Sequence, residues 1–159
     1  MNLKAFYIKY STIAGILFSA VAISFLALNT YTNMWLIYAG NILFSAAVFT
    51  GVIRVNHLVH DNASIPSMTM VGLKITFYGI LIASVICLLA LIISNMVLSP
   101  EAVLDESPAQ AGSDPRGDVV LVLFMCTVLV NATLGALAAV VGAAVSKRNQ
   151  KTVQGKSLS

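Results

Sequence analysis

Residues 119–145 read VVLVLFMCTVLVNATLGALAAVVGAAV and contain no charged side chain. A hydrocarbon core about 30 Å thick is crossed by roughly 20 helical residues at a rise of 1.5 Å each, so this stretch is long enough to span a bilayer as one helix. Three further stretches have the same character, at about 11–28, 34–55 and 71–98. All four are long and continuous, unlike the short alternating segments of a membrane β-barrel. The composition agrees. Of 159 residues, 58% are hydrophobic and only 9% charged, and the mean hydropathy is +0.91; a soluble domain carries roughly 25% charged residues. A soluble enzyme, a nucleic-acid binder and a disulfide-rich secreted domain are thereby excluded. The expected fold is all-α: one membrane domain, a four-transmembrane-helix bundle with antiparallel up-down topology.

Orientation follows from Lys and Arg, which cytoplasmic loops retain during insertion. Eight of the nine basic residues fall on one side: Lys4 and Lys9 before the first span, Arg54 and Lys74 between the second and third, and Lys147, Arg148, Lys151 and Lys156 after the fourth. The other side holds residues 99–118, where Glu101, Asp105, Glu106, Asp114 and Asp118 stand against Arg116 alone. Both termini are therefore expected in the cytoplasm of a bacterium, with the chain in its inner membrane. Tyr31, Trp35 and Tyr38 at one end of the spans, and Phe6, Tyr7, Tyr10, Phe77 and Tyr78 at the other, fit interfacial aromatic belts. The basic start followed by Ala20-Val21-Ala22 also resembles a signal peptide, but the apolar run continues to Leu28, so an uncleaved first span is expected.

Five residues, Asn29 to Asn33, join the first two spans and predict a tight helical hairpin. In the link 56–67, Pro66 disfavours helix at Ile65, and the second span can project to about His60. Pro100, Pro108, Pro115, Gly112 and Gly117 predict an irregular acidic loop over 99–118, outside the cytoplasm. The basic cytoplasmic tail 146–159 is expected to fray. No internal repeat of the inverted kind found in many transporters is evident.

The spans carry almost no ionisable groups. Between Ser11 and Ile53 only tyrosines ionise, the third span has Lys74 near its end and Cys87, and the fourth has nothing beyond the thiol of Cys126. A proton relay needs intramembrane carboxylates, His or Lys, and haem needs axial ligands such as His, so neither chemistry is expected, nor any cofactor or catalytic residue. His57, His60 and Asp61, at i, i+3 and i+4, share a helix face and are the one candidate metal constellation. Three ligands from one short segment are outweighed by the plainer reading of polar residues at a membrane edge, so no metal is expected. Cys87 and Cys126 read as small apolar fillers.

The fourth span shows the strongest pattern. Gly135, Ala139 and Ala143 form a small-xxx-small run, overlapped by Asn131, Gly135, Ala138 and Gly142. Lipid tails are as apolar as Leu, so membrane helices associate through close backbone approach and polar contacts. These residues are the expected helix-packing interface, toward sibling spans and also toward another subunit. Asn41 and Asn131 should each find a partner, because an unpaired amide in hydrocarbon costs several kcal/mol. Lys147, Arg148 and Lys151 sit where they can attract anionic lipid, at about 1 kcal/mol per charge.

Gly51-Val52-Ile53-Arg54, then Gly72-Leu73-Lys74 and Gly79-Ile80-Leu81-Ile82-Ala83-Ser84, with Lys9, Tyr10 and Gly15 at the first span, resemble an uncharacterised family of small bacterial four-span inner-membrane proteins. The resemblance covers most of the first three spans and implies topology, not an activity. The chain departs from it in the link, where His57, His60 and Pro66 replace a more strongly basic turn.

The function expected from these features is that of a non-catalytic accessory or assembly subunit, in contact with membrane lipids and with a larger membrane protein or further copies of itself, and with no nucleic acid. The alternative is a small oligomeric channel or transporter for an uncharged or lipophilic substrate, with a water-filled cavity lined by Asn41, Ser45, Asn131 and Thr133.

Overall fold

The computed structural model describes the backbone of residues 3–28, 34–58, 64–97 and 115–156, and side chains over 4–28, 34–58, 64–94 and 119–147. It consists of α1 (Leu3–Ala27), α2 (Trp35–Leu58), α3 (Ile65–Val97), α4 (Pro115–Met125), a π-helical turn (Cys126–Val130) and α5 (Asn131–Lys156). The last three form one continuous rod, so the chain is an all-α bundle of four helices. Each contains a segment long and apolar enough to cross a membrane: Lys4–Ala27, Trp35–Leu58, Ile65–Ser94 and Val119–Lys147. The protein is a membrane four-helix bundle.

Helix is the natural state of these segments, because hydrocarbon offers a backbone amide or carbonyl no partner outside its own segment. The hydroxyls follow the same rule by bonding back to the preceding turn. Thr12 donates to the Ile8 carbonyl at 2.8 Å, Thr50 to Ala46 at 2.8 Å, Thr76 to Gly72 at 2.9 Å and Ser146 to Gly142 at 2.8 Å.

Chain direction alternates from span to span, yet the order in space is not the order in sequence. Gly40 of α2 faces Phe18 and Val21 of α1, and Gly51 faces Tyr10, so α1 and α2 form the antiparallel hairpin that the short link predicts. Gly15 of α1 faces Gly79 and Ile82 of α3, two helices that run parallel. Gly142 of α5 faces Phe49 and Val52 of α2, also in parallel, while Gly72 and Gly135 set α3 and α5 antiparallel through Ala139 and Thr76. Around the bundle the order is therefore α1, α2, α5, α3. The α2 and α3 helices also meet across the diagonal, with α1 and α5 on opposite flanks of that pair.

Phe18, Phe25, Ile37, Phe44, Val48, Val52, Met68, Ile75 and Leu123 fill the interior with 1% or less of their surface exposed. Burial from lipid brings little water release, so this core is held by contact quality: dispersion between well-fitted atoms. Small residues set the helix separations. A Cβ on Gly72 would overlap the Ala139 methyl and stand 2.8 Å from Val52 Cγ2; one on Gly51 would stand 2.9 Å from Ile75 Cδ1; one on Gly15 would lie 3.0 Å from the Gly79 carbonyl oxygen.

Three boundaries differ from expectation. Ile65 is helical despite preceding Pro66, because Ser64 caps α3: its Oγ accepts from the Ser67 N–H at 3.4 Å and its carbonyl from the Met68 N–H at 3.1 Å. Pro66 stands in the first turn, where no intrahelical N–H is required. Pro115 likewise starts α4, so the last part of the acidic segment is helical. At the other end α5 runs on to Lys156, propagating from the span instead of fraying.

Substituting Gly72 by Ala should push α3 from α5 and α2 and cost about 1–3 kcal/mol. Gly40→Ala, whose Cβ would meet Phe18 and Val21 at 3.3 Å, should cost less. Unfolding titrations of the two variants in mixed micelles check the ranking.

Candidate functional site

The fourth helix is interrupted in its first half by the π-helical turn Cys126–Val130, which the apolar pattern of 119–145 does not announce. The Asn131 N–H reaches the carbonyls of Cys126, five residues back, and Val128, three back, passing over Thr127, four back. The Asn131 side chain takes up the carbonyl thus skipped: its Nδ2 donates to the Thr127 oxygen at 3.3 Å. Thr127 in turn donates its hydroxyl to the Leu123 carbonyl at 2.6 Å. The Asn131 amide thus replaces, from its side chain, the bond that its own N–H would make to Thr127 in a regular α-helix, while the Thr127 hydroxyl makes the ordinary back-bond.

Around this turn lies a polar layer contributed by all four spans. Cys126 sits beside the Asn41 amide of α2, and Cys87 of α3 sits between Ser19 of α1 and Thr127. Asn41 is 1% exposed, Asn131 0% and Ser19 2%. The thiol contact at Asn41 falls outside good hydrogen-bonding geometry, and both its Nδ2 and Oδ1 lack a hydrogen-bond partner; so do Asn131 Oδ1, Ser19 Oγ and, nearer the Lys9 end, Ser11 Oγ. Orphaned polar atoms in a membrane interior are uncommon, since each forfeits its solvation without return. Nothing in the layer carries a formal charge: it comprises amides, hydroxyls and the free thiols of Cys87 and Cys126.

A cavity of about 220 Å³ opens beside the turn, between the start of α2 and α4. Met34, Ile37, Tyr38, Leu121 and Met125 line it, and Cys126 separates it from Asn41.

The residues singled out in the sequence are distributed unevenly over these features. Gly135, Ala139, Gly142 and Ala143 are buried and Ala138 half-buried, with Gly135 against Thr76, Ala139 against Gly72 and Gly142 against Val52 and Phe49, so the small face of α5 packs on α2 and α3. Asn41 and Asn131 both point inward, but Ser45 bonds back to the Asn41 carbonyl at 2.8 Å and Thr133 is exposed and bonds back to Val130 at 2.9 Å, so the four do not line one cavity. His57 is exposed in the last turn of α2, whereas His60 and Asp61 lie outside the described residues. Among the described residues no three His, Cys, Asp or Glu side chains gather as a metal site. Lys147 is half-buried at the end of its span; the side chains of Arg148 and Lys151 lie outside the description. At the same end of the bundle the Lys74 ammonium lies 5.6 Å from the centre of the Tyr7 ring, within cation–π range.

Sequence reading identified Asn41 and Asn131 but not the π turn that joins them to Cys126 and Thr127. The available signal was the pair Thr127 and Asn131, one helical turn apart in an otherwise apolar run. No protein-family model, curated protein or solved structure matches the chain.

Asn131→Ala removes the donor that covers the Thr127 carbonyl and should destabilise the bundle by about 1 kcal/mol. Thr133→Ala, which removes only an exposed back-bonded hydroxyl, should stay within about 0.5 kcal/mol of the parent. Unfolding in mixed micelles, followed by circular dichroism, measures both.

Proposed function

We propose that the chain is a non-catalytic accessory or assembly subunit of a larger complex in the bacterial inner membrane, with both termini cytoplasmic. The supporting observation is the way its interior is used. Close contacts leave no space for a Cβ at Gly51, Gly72 or Gly135, so α2, α3 and α5 meet directly at these points. The chain's means of acting on another molecule then lie on its outer faces and at its ends.

Two outer features suit a partner in the membrane. Along α3, Met70, Phe77, Leu81, Val85, Leu88 and Ile92 are exposed at helical spacing, forming a broad apolar stripe. At the basic end, α5 continues from Lys147 to Lys156 and carries Arg148 and Lys151 beyond the apolar span. Such an arm suits anionic lipid headgroups at the cytoplasmic surface, at about 1 kcal/mol per basic residue. It would hold the bundle at fixed depth while α3 meets its partner.

The cavity beside Cys126 favours a second reading. An apolar recess of about 220 Å³ is large enough for a short acyl segment or a single ring, the kind of uncharged lipophilic substrate that an oligomeric carrier would handle.

A photo-crosslinking residue at Val85 or Leu89 in the full-length chain, activated in native membranes, should join it to one larger membrane protein at fixed stoichiometry. Crosslinks only between copies of the chain would overturn the subunit reading in favour of the oligomeric one. Single cysteines placed at Ser107 and Ser157 in a cysteine-free background test the topology: an impermeant maleimide applied to the outside should label the first and not the second.

A further inference from the structure

We propose that the polar layer at the π turn is a binding site for water, held inside the membrane-spanning bundle among Asn41, Asn131 and Ser19. Four heteroatoms carry the inference: Asn41 Nδ2 and Oδ1, Asn131 Oδ1 and Ser19 Oγ, all fully enclosed and with no protein partner in good hydrogen-bonding geometry, the nearby thiols of Cys126 and Cys87 being weak partners for Asn41 and Ser19. They are linked through the two thiols and Thr127. Ser19 and Thr127 both approach Cys87, Asn41 approaches the adjoining Cys126, and Asn131 bonds to the Thr127 carbonyl, so a continuous chain of contacts links α1, α3, the π turn and α2. The layer lies within the apolar spans: Ser19 is ten positions beyond Lys9, Cys126 is eight beyond Asp118, and Asn131 is sixteen before Lys147.

The donor set selects the ligand. Asn41 Nδ2 must donate, the two carboxamide oxygens must accept, and the Ser19 hydroxyl can do either. A metal cation would face the Asn41 Nδ2 donor, and an anion would face two carboxamide oxygens. Either would also bring a net charge into a layer without a counter-charge, which hydrocarbon penalises heavily. A neutral molecule that donates and accepts at once satisfies the set. The enclosure of all four atoms limits that molecule to the size of water, whose share of liquid volume is about 30 Å³.

The π turn gives bound water a second use. The Thr127 carbonyl, passed over by the Asn131 N–H, accepts a long 3.3 Å bond from Asn131 Nδ2, on the same carboxamide whose Oδ1 would hold the water. The junction of α4 and α5 can then turn by swapping one hydrogen bond for another instead of losing it.

Magic-angle-spinning NMR of the labelled full-length protein in lipid vesicles, prepared in plain buffer and read by magnetisation transfer from water, tests the site. The side-chain amides of Asn41 and Asn131 should receive water magnetisation at short mixing times, whereas the backbone amides of Val48 and Ala139 should not. In Asn41→Leu the transfer to Asn131 should be lost. If Asn41 in the parent protein receives no more transfer than Val48, or if Asn41 and Asn131 show a direct side-chain contact with no water transfer, the proposal is overturned. The parent measurement decides the matter alone should the variant fail to assemble.

Discussion

The bundle depends on how closely three backbones approach one another at Gly72. This glycine of α3 faces Ala139 of α5 and Val52 of α2, and no larger residue fits. In water such a contact would be one of many, reinforced by the release of solvent from every apolar side chain. In lipid that release is largely absent, and the energy of association comes from atoms near their van der Waals minima and from the few polar groups that pair. The close approach at Gly72 brings α2, α3 and α5 into register. Gly15, Gly40 and Gly51 then fix α1 against α3 and α2, and the remaining geometry follows.

Setting the order α1, α2, α5, α3 has a consequence for the polar groups. With α2 and α3 touching across the diagonal, Asn41, Cys87 and Cys126 are drawn to the axis, where no solvent reaches them. A bundle of the same four helices with each neighbour antiparallel would need no such diagonal contact. The π turn belongs to the same arrangement. It inserts extra backbone between the part of the rod level with Asn41 and the part level with Gly72, so that Cys126 and Gly142 can both meet α2 although they fall on different registers.

Much of this was legible in the sequence, and the limits of legibility are physical. The spans are recognisable because uncharged runs of this length have few other uses, and Gly135, Ala139, Gly142 and Ala143 stand out because small residues on a membrane helix mark close contact. The helix starts at Ile65 and Pro115 were not legible from Pro alone: the Ser64 cap decides the first, and the proline rule about the preceding residue yields to it. Spatial order was hidden for another reason. Several faces of each helix are equally apolar, so no periodicity distinguishes a lipid-facing side from a sibling-facing one, and only the glycines record which neighbour comes close. The π turn was hidden as well, since its determinants are a hydroxyl and an amide whose spacing also suits an ordinary α-helix.

The polar layer stands where selection for stability alone would not place it. Leu in place of Asn41 would fill the same level with good contacts and leave no orphaned amide, and cores accept such exchanges readily. An amide retained at 1% exposure between two helices, beside a break in a third, marks a place where backbone bonds are meant to be exchanged instead of merely buried. Were the chain the subunit proposed above, that would let one part of a span follow a partner while the other stays fixed. The α5 half is anchored by Gly135, Ala139 and Gly142 on α2 and α3, whereas α4 touches α3 only lightly and borders the cavity at Met34 and Tyr38. Motion at the junction would therefore move α4 across the cavity and leave the glycine contacts intact.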